Sequence, residues 1–141
     1  MLFDPDRHEA LGDVPWDASR VRDAIRSIVD DIEHRCVANG RWPVHPLDDE
    51  GDTPRTGFKG LYLGRAGVLW SLWYLQRRGA VELAGDPCAG IRDADAAYRD
   101  DPDTGTVVPS YYLGEVGILL ALWCMTGSGA AADRLYASIR S

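Results

Sequence analysis

Two cationic side chains, Lys59 and Arg65, stand beside the glycine pair Gly64-x-x-Gly67 where a helix is expected to begin. Free backbone N–H groups at a helix N-terminus favour an anion, and nearby cations strengthen that preference. The pair returns fifty residues later as Gly114-x-x-Gly117, with Glu115 in the place of Arg65. A carboxylate there suits the helix dipole but repels an anion, so a phosphate site common to both copies is not expected. No Gly-Lys-Ser/Thr follows either pair, which excludes a phosphate loop. The simpler use of the glycines is packing. Without side chains on that face of the first turn, another helix or loop can come very close. Tyr62, Tyr111 and Tyr112 lie next to the pairs and are candidate aromatic contacts for a peptide or protein partner. The candidate binding residues are therefore Lys59, Tyr62, Arg65, Tyr111, Tyr112 and Glu115. Gly64, Gly67, Gly114 and Gly117 are the structural glycines, and no catalytic residue can be assigned.

Other reactive side chains offer less. Cys36, Cys88 and Cys124 are far apart and form no Cys-x-x-Cys pair, so the expectation is three small buried hydrophobes without a disulfide. His8, His34 and His45 lie in the first third of the chain, and His34 reads as a surface residue. No metal-ligand set emerges. The acidic connections around Asp52-Thr53 and Asp103-Thr104 lack the alternating oxygens of a calcium loop, so they read as solvated. Asp52, Asp103 and Glu115 are the only carboxylates that could flank a sugar, and nothing pairs them.

Around these residues runs a doubled unit. Tyr-Leu-Gly-x-x-Gly-[Val/Ile]-Leu-x-x-Leu-Trp occurs at 62–73 and at 112–123, with the large side chains in register. Val68, Leu69, Leu72 and Trp73, like Ile118, Leu119, Leu122 and Trp123, have helical spacing inside runs apolar nearly all round. Residues 64–78 and 114–125 are thus expected to be inner helices buried on most sides. Amphipathic segments alternate with them. Asp17 or Ser19 caps a helix to about Ala38, with Val21, Ile25, Ile28, Ile32 and Cys36 inward. A second runs over 87–99 on Ile91, Ala94, Ala97 and Tyr98, and a third over 130–139 on Leu135, Tyr136 and Ile139. Residues 1–16 read as an arm that Trp16 could anchor, and 41–63 as a long connection. The predicted fold is all-α: helical hairpins of outer and inner helices stacked side by side.

Composition narrows the partners. The 141 residues are 45% hydrophobic with a net charge of −7, which argues against nucleic acid. The apolar runs are too short for a bilayer, which needs about 20 residues. No basic-then-apolar N-terminal signal is present, so a cytoplasmic protein is expected.

The glycine-opened helices, at 57–68 and 109–120, resemble those of the lanthionine synthetase C-like family. The resemblance implies an α/α toroid, with residues 17–141 as its N-terminal part. It also implies kinship with zinc-dependent cyclases that add a cysteine thiol across a dehydrated serine or threonine. Such zinc is held by two cysteines and a histidine, one cysteine directly preceding the histidine. Here Val37, Ala89 and Met125 follow the three cysteines, and the family's acidic residue four positions before a glycine pair is replaced by Gly60 and Ser110. The chain is therefore expected to hold no zinc and not to cyclise peptides alone. Two and a half hairpins do not close a ring, so either the chain is a piece of a longer protein or partner chains finish the ring, and it is expected to self-associate through exposed apolar faces or to fold poorly. A helical-repeat scaffold that binds peptides or proteins is the alternative, and a carbohydrate-active toroid the second.

Overall fold

A computed structural model describes residues 14–36, 42–44 and 57–140. Its fold is all-α, with no strand among the described residues. The helices are α1 (Ala18–Arg35), α2 (Arg65–Arg77), α3 (Pro87–Asp100), α4 (Glu115–Thr126) and α5 (Gly129–Arg140). None of them is long and apolar enough to cross a membrane.

Local chemistry sets the ends. Asp17 caps α1 by accepting from the Ser19 N–H at 2.8 Å and the Arg20 N–H at 3.2 Å. The bond from the Ser19 hydroxyl, then those from the two amides, hold the Asp17 carboxyl below its ordinary pKa. A lowered pKa means that this contribution is present above the unfolded pKa and disappears as pH falls through the folded one. Acid is therefore predicted to fray the first turn of α1. Protection of the Ser19 and Arg20 amides, taken relative to the unfolded chain at the same pH, that falls in step with Asp17 protonation would show it; protection indifferent to pH would refute it. Asp86 caps α3 in the same way, with Pro87 in the first helical turn, where its missing N–H does no harm. Gly79 and Gly127 stop α2 and α4 in the left-handed conformation (φ 66° and 69°).

The inner helices α2 and α4 lie side by side, α3 packs across both, and α5 packs on α4. The core forms where they meet: Leu69 from α2, Ile91, Ala94 and Tyr98 from α3, Ile118, Leu119 and Leu122 from α4, and Leu135 from α5. Each large apolar side chain buried there contributes about 1.5–3 kcal/mol. Helix α1 is peripheral. Its one fully buried residue is Val29, and Glu33 accepts from the Ala84 N–H at 2.9 Å. The Trp42 indole N–H donates to the Ile32 carbonyl at 2.8 Å, closing one of the last carbonyls of α1.

Several expectations fail for identifiable reasons. Ile28 is 59% exposed, since the inward stripe of α1 is narrow and centred on Val29. Trp16, 80% exposed, anchors nothing among the described residues. The inner helices are not wrapped on all sides: Trp123 is 44% exposed and Cys124 is exposed, because α4 meets neighbours on only part of its circumference. Nor are the cysteines buried; Cys36 and Cys88 are half-buried, and none of the three forms a disulfide. On α5, Tyr136 and Ile139 face outward, and Leu135, Ala131 and Ser138 face the core. His34 is exposed, as expected, whereas His8, His45, Asp52 and the arm's first 13 residues lie outside the described residues.

Candidate functional site

The two glycine-opened turns share one conformation. In each, a loop folds back over the first turn of its helix. The Phe58 carbonyl accepts the Arg65 N–H at 2.9 Å, and fifty residues on the Val108 carbonyl accepts the Glu115 N–H at 3.1 Å. Gly64 (φ −130°, ψ −172°) and Gly114 (φ −127°, ψ −166°) occupy the same extended N-cap. Neither conformation demands glycine; the closeness of the loop does. A Cβ on Gly64 would lie 2.6 Å from the Phe58 carbonyl, and one on Gly114 would fall on the Val108 carbonyl oxygen. On Gly67 it would strike the Leu61 carbonyl, and on Gly117 the carbonyl of Tyr111, the equivalent of Leu61. The bare face thus admits each helix's own preceding loop.

That arrangement removes the anion site. The Arg65 and Ala66 N–H groups are bonded to the carbonyls of Phe58 and Lys59, and those of Gly67 and Val68 to Gly64. The first turn of α2 has no amide left for a ligand. The charged candidates are engaged as well. The Lys59 ammonium sits 2.8 Å from Asp101 and 3.3 Å from Asp103, with its side chain 12% exposed. Arg65 pairs with Asp93 at 3.6 Å, and Glu115 with Arg134 at 3.7 Å. Arg134 also grips Asp95 through two bonds of 2.7 and 3.0 Å, which raise the guanidinium pKa further. The Arg65–Asp93 and Glu115–Arg134 pairs fasten each inner helix start to the following outer helix, and Arg134–Asp95 ties the two outer helices α3 and α5 together.

Asp103 corrects the expectation of a solvated acidic loop. Its side chain is 7% exposed. One carboxylate oxygen accepts the Lys59 N–H at 2.7 Å and the Gly60 N–H at 2.8 Å. The turn ahead of the second unit thereby latches the loop of the first. The loops also join directly: the Tyr62 N–H donates to the Tyr112 carbonyl at 3.0 Å, and the two rings meet edge to face at 5.9 Å.

Beside the loops opens a cleft of about 870 Å³, within the ordinary size range of ligand pockets. Equivalent positions of the two copies form its walls: Trp70 and Ser71 on α2, Leu120 and Ala121 on α4. Trp42 and Phe58 complete it, and the exposed Tyr62 and Tyr111 stand at its edge. Neither α3 nor α5 contributes to it, and no described lining residue is charged. The Ser71 hydroxyl is occupied by the Gly67 carbonyl at 2.9 Å. Of the six candidate binding residues, the structure brings only Tyr62 and Tyr111 into the cleft. Tyr112 packs its ring on Tyr111 at 4.9 Å without lining it. Trp42, Trp70 and Leu120 were missed; the fifty-residue register, which makes Leu120 the counterpart of Trp70, is the signal that could have found the last two.

A catalytic zinc requires about three protein ligands and an open position. Among the described residues no three of His, Cys, Asp and Glu come together to provide them. Cys124 lines the cleft with no such companions. No family model, curated protein or solved structure matches the chain.

Proposed function

We propose that the chain is a lanthionine synthetase C-like module that binds a peptide and does not cyclise it by itself. The observation that carries this reading is the cleft: apolar, uncharged in its described lining, and bordered by two tyrosines. An uncharged, aromatic-rimmed surface takes apolar side chains from a partner, and tyrosines add contact area at little entropic cost. The reading calls on no zinc chemistry: among the described residues no group of three His, Cys, Asp or Glu could hold a metal.

Trp42 and Trp70 in the cleft provide a direct readout. Peptides carrying leucine or phenylalanine are predicted to shift tryptophan fluorescence saturably, and Val68→Glu, which puts a charge in the cleft, is predicted to weaken binding at least about tenfold. Matched peptides with dehydrated serines, compared with their unmodified forms, separate an enzyme-derived module from a general scaffold. Failure of every apolar peptide to bind, or equal binding by the Val68→Glu protein, would refute the reading.

A further inference from the structure

The contact between the two loops has two different edges, and the molecule displays a second, unused example of each. The first loop presents the Tyr62 N–H and the Leu61 side chain; the second receives them with the Tyr112 carbonyl and Gly117, whose added Cβ would stand 2.9 Å from the Leu61 Cβ. Because both loops share the carbonyl bond at Phe58 and Val108 and the same N-cap dihedrals, the second loop carries the donating edge again, in the Tyr112 N–H and the Tyr111 side chain. The first loop likewise carries the receiving edge, in the Tyr62 carbonyl and Gly67. Among the described residues neither the Tyr112 N–H nor the Tyr62 carbonyl has a partner. Tyr62, Tyr111, Tyr112 and Leu113 are 69, 45, 59 and 45% exposed.

We propose that a second copy of this chain continues the contact: the Tyr112 N–H of one copy donates to the Tyr62 carbonyl of the next, and Tyr111 packs over the next copy's Gly67. The interface inside the chain is its template. Such a contact is heterologous, so copies add head to tail. It is weaker than its template. Pro109 has no N–H where Lys59 has one, and the Ser110 N–H is bonded to the Val108 carbonyl, so no counterpart of the Asp103 latch can form. Association therefore grows gradually with concentration. Tyr62, Gly67 and Tyr111 also line the cleft, so a bound peptide and a second copy would compete there, but association itself needs no peptide.

Sedimentation of the full chain without peptide, over rising concentration, is expected to show a continuous increase in mean mass. Tyr111→Asp places a charge in the new contact and is expected to abolish the increase while leaving helix content and thermal midpoint unchanged. A photoreactive phenylalanine analogue at position 111 is expected to cross-link to residues 58–68 of another copy. A monomer at every soluble concentration, undiminished association in the Tyr111→Asp protein, or cross-links joining position 111 to position 111 would each overturn the proposal. Peptide binding by a strictly monomeric protein would show that this inference had failed and the cleft reading had not.

Discussion

Gly117→Ala is expected to lower the thermal midpoint on the order of 10 °C, corresponding to roughly 3 kcal/mol. The added methyl group would land on the Tyr111 carbonyl oxygen and 2.9 Å from the Leu61 Cβ. One obstacle is backbone and the other begins at a Cβ, so neither can move aside by rotating a flexible side chain. The loop would have to lift, which costs the bond from the Glu115 N–H to the Val108 carbonyl and the contact between loops. Gly85→Ala is the control, since nothing lies within 4 Å of its Cβ position. Gly129→Ala, equally open and at the start of α5, is expected to be neutral or to stabilise by about 0.4–1 kcal/mol. Thermal unfolding followed by circular dichroism decides the matter; equal midpoints for Gly117→Ala and Gly85→Ala would refute the steric account.

Loss of the Asp103 carboxylate is the second large effect. Asp103→Ala is expected to cost roughly 3 kcal/mol, because two backbone N–H groups lose their acceptor and the nearly buried Lys59 ammonium is left with Asp101 alone. Asp103→Asn is expected to cost about half as much, since an amide oxygen can still accept both N–H groups but the charge is gone. Hydrogen exchange locates the damage. Protection should fall at the Lys59 and Gly60 amides and persist in α5. Unchanged exchange at those two amides in the alanine variant would mean that the carboxylate does not hold the loop.

Much of the fold was legible because its signals are local or periodic. The fifty-residue register places both inner helices, and the caps at Asp17 and Asp86 and the stops at Gly79 and Gly127 depend on neighbours in sequence. Even the function of the paired glycines could be read in outline, as room for close approach. What was not legible depends on residues that meet only after folding. Asp103 looks like any acidic turn until the Lys59 and Gly60 amides, more than forty residues away, reach it. Asp95, on the inward face of α3 beside Ala94, was the visible hint of a buried ion pair; its partner Arg134 lies thirty-nine residues on, on another helix. Charge beside a helix start suggests a ligand, which makes Lys59, Arg65 and Glu115 binding candidates in the sequence. In the folded chain Lys59 pairs with Asp101 and Asp103, Arg65 with Asp93, and Glu115 with Arg134. Of the aromatic candidates, Tyr62 and Tyr111 line the cleft, and Tyr112 packs on both of their rings instead.

The latch at Asp103 also bears on the order of events during synthesis. A ribosome that has released only the first unit has released a loop whose lock has not yet been translated. Until the acidic turn emerges, the amides of Lys59 and Gly60 must be hydrated, and the wall of the cleft that this loop builds stays unfastened. Fastening of the earlier loop thus waits for arrival of the later turn.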